Sequence, residues 1–158
     1  MPSILAQVHV APAIEAPRSG RLELAQWLVV PDHPLTTRVL MNRVWMWHFG
    51  KPLMKSPSNW GLQSEPPSHP ELLDWLASRL IENGWRLKPM HKLILSSAAW
   101  RQSSTYDEAK AAKDLDNQLL WRFTPRRLEG EVIRDSLLTV SGQLDKAMYG
   151  KGTLDEKT

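Results

Sequence analysis

Apolar residues recur at helical spacing in several segments of this chain and nowhere alternate over the length of a strand. Leu24, Trp27 and Leu28 form a stripe on a first predicted helix, which opens after Ser19-Gly20 and stops at Pro31-Asp32-His33-Pro34, since proline lacks the amide that a continuing helix must donate. Leu40, Val44 and Trp47 share a face of a second helix, from about Leu35 to Phe49, and Gly50 follows as a residue free to take positive φ. Ser68-His69-Pro70-Glu71 reads as a capping box, in which Ser68 and Glu71 satisfy the free amides of a helix start. Leu72, Leu73, Trp75, Leu76, Leu80 and Ile81 then supply a wide inward face, and Asn83-Gly84 ends the element.

Downstream, Pro89 sits in the first turn of a helix running from Met90 to about Trp100, with Leu93, Ile94 and Ala98 as its stripe. A short charged segment, Asp107 to Lys113, is expected to be exposed, and a brief helical turn is expected through Leu120 and Trp121. Pro125 opens a last long helix that ends at Ser141-Gly142, with Val132, Ile133, Leu137 and Val140 facing inward. On this helix Arg127, Glu131 and Arg134 are spaced to pair along one face, and Arg126 with Arg127 begins a run whose charges nearly balance. Arg38 and Arg43 of the second helix are expected to reach those acids, giving at least one buried or half-buried arginine–carboxylate contact.

The pattern predicts an all-α fold, a compact bundle of about five main helices with one long Pro-rich loop from Lys51 to Ser68. Residues 1–18 read as a linker or partly disordered N-terminus, 19–142 as the helical domain, and 143–158 as an irregular tail truncated from a longer domain.

Composition narrows the function classes. The 158 residues contain no cysteine, which excludes disulfides, zinc–thiolate sites, iron–sulfur clusters, thiol catalysis and covalent haem attachment. No apolar run approaches the roughly 20 residues of a spanning helix, and the N-terminus lacks the basic and continuous apolar regions of an export signal. Net charge is +3. The stretches between His33 and Ser64 and between Trp85 and Tyr106 carry only basic charges, so a face built from both is cationic.

The chain has eight tryptophans against two phenylalanines and two tyrosines. Arg21-Leu-Glu-Leu-Ala, Asn42-Arg43-Val44-Trp45, His48-Phe49-Gly50, Pro66-Pro-Ser-His-Pro-Glu-Leu-Leu-Asp-Trp-Leu76, Gly84-Trp85, His91-Lys-Leu-Ile94, Arg101-Gln-Ser-Ser104 and Arg126-Arg-Leu-Glu129 follow one another in order. Together they resemble the C-terminal domain of unknown function of large planctomycete proteins that also carry a cytochrome-c-like domain. The resemblance runs from Arg21 to about Gly152. It implies a periplasmic, secreted or surface-associated setting, a connection to polysaccharide, neighbouring domains of the same polypeptide as partners, and haem only on a separate domain. Trp47 stands where the family commonly has a second histidine beside His48, Pro52 replaces a glycine, and Asn59-Trp60 replaces an Asp-Phe pair.

Candidate chemistry is sparse. His48, His69 and His91 would form a metal site if they converged, but their spacing is no local ligand motif, and the sequence assigns none. An unrecognised enzymatic site would centre on Arg43, His48 and His69, yet no nucleophile elbow or phosphate-cradling loop is present. A recognition helix for nucleic acid would have to be Pro89 to Arg101, which exposes only Lys92 and a few Ser and His side chains to read bases; Arg101 at its end is a general binding candidate. Tryptophan more often fills a core than stacks on a sugar. Trp27, Trp75 and Trp121 are assigned to the core, and Trp45, Trp47 and Trp100 to the core or its rim. Trp60 and Trp85, in loops beside Gly61 and Gly84, remain as sugar platforms. The favoured expectation is a non-catalytic interaction or scaffold module without a cofactor of its own. The alternatives are a carbohydrate-binding or carbohydrate-active domain, an enzyme and a nucleic-acid-binding domain.

Overall fold

A computed structural model describes residues 13–14 and 19–148. Most of the expected linker, and the tail beyond residue 148, lie outside them. The fold is all-α, with no strand among the described residues. Helices α1 (Arg21–Leu28), α2 (Thr36–Phe49), α3 (Pro70–Glu82), α4 (Leu87–Ser96), α5 (Ala98–Arg101) and α6 (Glu108–Ala111) belong to one compact unit, residues 1–125; α7 (Gly130–Val140) belongs to a second, residues 126–158.

The first unit is built on α2 and α3. Leu73, Leu76, Ala77 and Leu80 recur along α3 at the spacing of one helical face and are buried. They meet Met41, Val44 and Trp45 of α2, while Met90 and Ile94 of α4 close the same cluster. Burial of each of the leucine, valine, isoleucine and methionine side chains contributes on the order of 1.5–3 kcal/mol. Trp45 stacks on Phe49 at 4.1 Å between ring centroids, and Trp100 meets the edges of Phe49 and Phe123, extending the core as an aromatic seam.

Helix ends follow identifiable chemistry. Gly84 at φ 63° lets its own amide reach Ile81 O and the Trp85 amide reach Leu80 O, closing α3 as a Schellman turn. Gly50 takes φ 77° after α2, also as expected. The start of α2 was not legible: buried His33 accepts from the amides of Leu35 and Thr36 through Nδ1, the task usually given to Ser or Asp. The same ring meets Trp27 edge-on at 4.4 Å, which ties α1 to the core.

Several expectations are corrected. The Ser68–Glu71 capping box does not form; His69 is the N-cap residue of α3 without a side-chain cap bond, and Ser68 Oγ donates to Leu53 O instead. Both backbone and side chain of Ser68 thus bind the carbonyl of Leu53, anchoring the loop rather than the helix. In α1 only Trp27 is buried, with Leu24 and Leu28 exposed. The helix expected through Trp100 breaks at Ser97, whose extended backbone (φ −67°, ψ 152°) leaves α4 and whose hydroxyl accepts from the Trp100 amide to cap α5. Residues 114–122 form turns, not a helical turn, with Asn117 and Leu120 at positive φ. On α7, taken by itself, Val132, Ile133, Leu137 and Val140 are exposed rather than inward. Arg134 lies 3.5 Å from Asp135, its sequence neighbour.

One side-chain amide joins the long loop to α2. Asn42 is fully buried; its Oδ1 accepts from the Met54 amide at 2.8 Å and its Nδ2 donates to Met54 O at 3.2 Å. Asn42→Ala would leave both backbone groups of Met54 unpaired in the interior and is expected to cost about 2–4 kcal/mol, read as a fall in urea midpoint at unchanged slope. A loss within error of zero would show that water replaces the amide.

Candidate functional site

Three concave surfaces of the first unit are candidates for a binding site. The first is a cavity of about 280 Å³ whose walls include Trp45, Phe49, Leu53 and Leu120, with Lys51, Lys55 and Gln118 at its polar side. Lys51 Nζ donates to Asp116 O at 2.7 Å, and Lys55 Nζ lies 2.7 Å from Glu65. Its cations are therefore engaged, and nothing in the set selects a reaction. The second is a groove of about 410 Å³ in which the Trp60 indole shares the lining with Arg38, Asp74 and Glu65. The third, about 390 Å³, runs between α3 and α4–α5 and is lined by Leu72, Trp75, Leu93, Ile94, Ala99 and Leu120 among others.

Trp60 and Trp85, expected as free platforms, are half-buried and packed against the core. Trp60 Nε1 donates to Pro57 O at 3.2 Å, and Trp85 occupies a left-handed backbone, φ 61°, as part of the α3 stop. The indoles that do face solvent are Trp47 (59% exposed) and Trp75 (43%), both assigned to the core or its rim from sequence. Arg79 lies one turn beyond Trp75 with its guanidinium carbon 5.4 Å from the indole centroid, and donates to Glu82 at 2.8 Å. Trp121 is half-buried, donates through Nε1 to Asp114 O, and carries Arg122 over its ring.

The expected arginine–carboxylate contact exists with a different partner and more exposure than anticipated. Arg38 Nε meets Asp74 Oδ1 at 2.5 Å across the α2–α3 interface, with the two side chains 39% and 53% exposed, and its Nη1 donates to Pro34 O. Arg43, Arg101, Arg126, Arg127, Glu71 and Glu131 are exposed.

Of the three histidines, two meet. His48 Nε2 and His91 Nδ1 are 3.2 Å apart, and His48 Nδ1 is 2.8 Å from Val44 O. His69 joins neither; its Nδ1 is 3.0 Å from Ser68 Oγ. The Ser68 hydroxyl also lies 3.2 Å from Leu53 O, and the direction of its contact with His69 follows the tautomer of the ring. No group of three or more His, Asp or Glu side chains placed to hold a metal ion occurs among the described residues.

The resolved titration shifts belong to the loop pair. Lys55, hydrogen-bonded to Glu65 and attracted by its charge, holds the Glu65 carboxyl below its ordinary value, while Glu65 and to a smaller extent Asp116 raise Lys55. The depressed Glu65 stabilises the fold above its unfolded-chain value and loses that contribution as pH falls through its folded value; the raised Lys55 does the converse at the alkaline end. Both groups are exposed, so the effect is screened. A small melting-temperature advantage of the parent chain over Glu65→Gln is expected at neutral pH, disappearing in acid and in high salt. A difference that persists in acid would place the effect elsewhere.

No curated protein and no solved structure matches the chain. No described helix is long and apolar enough to cross a membrane. A family match does cover residues 20–158, spanning the seven helices of the described residues and the three surfaces just described, and on it the chain belongs to the PSD1 family, proteins of unknown function (DUF1553).

Proposed function

We propose that this domain is a non-catalytic interaction module that docks against neighbouring domains of its own polypeptide through the groove between α3 and α4. The supporting observation is the Trp75 surface: an indole 43% exposed, covered by the Arg79 guanidinium, at the side of an apolar groove that the domain's own side chains leave open. Tryptophan and arginine dominate the energetics of protein interfaces because each combines a large contact area with a directed polar group. Catalysis is the weaker reading, since the cavity lysines are already engaged and His69 joins neither of the other two histidines. The resemblance to planctomycete proteins with a cytochrome-c-like domain suggests the partner domains and a setting outside the cytoplasm. Trp75→Ala should weaken association between this domain and the remainder of the parent polypeptide by at least about tenfold, with helicity and melting temperature little changed. Titration calorimetry with the two halves as separate chains checks this; equal affinity of parent and variant would overturn it.

A second reading is favoured by the Trp60 groove, where an indole neighbours the Arg38–Asp74 pair and Glu65. An indole face packs on the apolar face of a sugar ring, and flanking charged groups bind its hydroxyls. On this reading the domain holds polysaccharide. Trp60→Ala should abolish binding in a glycan screen, whereas Trp85→Ala, outside the groove, should preserve it. Binding that survives Trp60→Ala would exclude the site.

A further inference from the structure

The pairing of His48 with His91 brings two imidazole nitrogens from different helices within hydrogen-bond distance of each other. His48 lies in the last turn of α2 and His91 on α4, 43 positions apart in sequence, and the rings sit 5.0 Å apart at 34°. The contact of His48 Nδ1 with Val44 O fixes the tautomer: Nδ1 carries the hydrogen and donates to the carbonyl, so the Nε2 lone pair points at His91. A backbone carbonyl holding the far nitrogen of an imidazole is also the usual orienting contact of a metal-binding histidine.

We propose that His48 Nε2 and His91 Nδ1 form a two-imidazole clip for a late first-row divalent cation, Cu²⁺ being the ion bound most tightly. The nitrogens are 3.2 Å apart. Metal–nitrogen bonds of about 2.0–2.1 Å to both would subtend about 100° at the ion, between the square-planar and tetrahedral values. Neutral His91 would then carry its hydrogen on Nε2, a tautomer shift that releases no proton. The negative end of the α2 dipole adds a favourable field for a cation. The clip supplies two ligands, and the remaining positions fall to water or to a donor from a bound partner.

Trp100 is the reporter, its ring meeting the His48 ring edge-on at 5.6 Å. Titrating Cu²⁺ into the whole chain should quench tryptophan fluorescence saturably at micromolar concentration. His48→Ala and His91→Ala should each weaken the ion by at least about tenfold, and His69→Ala should not. Acid should weaken binding, because protons compete for both lone pairs. Should either variant unfold, the parent chain still decides the matter by proton NMR: substoichiometric Cu²⁺ should broaden the ring signals of His48 and His91 before those of His69. The clip is overturned by absence of saturable quenching up to millimolar Cu²⁺, by unchanged affinity in both folded variants, or by earlier broadening of His69.

Discussion

One buried carboxamide organises the first unit. Asn42 presents its oxygen to the Met54 amide and its nitrogen to the Met54 carbonyl, so a helix side chain pairs with an irregular strand of backbone as a neighbouring strand would. Buried backbone without such a partner would carry a desolvation penalty comparable to the binding of several methylenes. With it, Leu53 and Met54 enter the interior, Leu53 O receives both donors of Ser68, and the loop from Lys51 to Ser68 leads directly into α3. The cavity beside Trp45 and Phe49 and the groove at Trp60 are both walled by residues that this arrangement positions.

Around that clamp the aromatic residues divide by role. Trp45, Phe49, Trp100 and Phe123 make a continuous seam of stacked and edge-on rings, and His48 joins it through the edge contact with Trp100. The histidine pair is therefore set against a rigid aromatic wall rather than on a mobile surface. Trp75 belongs to a different system, a surface array in which Arg79 bridges the indole and Glu82.

Much of the fold was legible in the sequence because its signals are local. The 3.6-residue period gave α2 and α3, and Gly50 and Gly84 marked their ends through a backbone conformation that L side chains rarely adopt. At two tryptophans helical register outweighs residue identity. Trp75 lies about 160° around the helix from Leu73 at 100° per residue, so it belongs outside however apolar it is; Trp47, about 120° from Met41, follows the same arithmetic. The Ser68-x-x-Glu71 signature failed because Leu53 O holds Ser68 through both its amide and its hydroxyl, one residue ahead of the N-cap position, which His69 occupies. His33 as a helix cap, Asn42 as a loop clamp and the meeting of His48 with His91 all depend on tertiary placement. No spacing rule anticipates them. The arginine pairing was foreseen for Arg38, but its acid, Asp74, comes from α3, because α2 and α3 are the helices that pack.

The position of Trp75 immediately before Leu76 links surface to interior through the peptide chain itself. The two side chains are set one helical step apart, one toward solvent and one into the core. An insertion of a single residue within α3 would rotate everything after it by about 100°, carrying the indole off the groove and withdrawing leucines from the interior together. An insertion at the tip of the preceding loop, beside fully exposed Leu62 (96%), would turn neither. Length variation across relatives should therefore concentrate in that tip and be absent from α3, so that the spacing between helices can drift while the Trp75 face and the core keep a common phase.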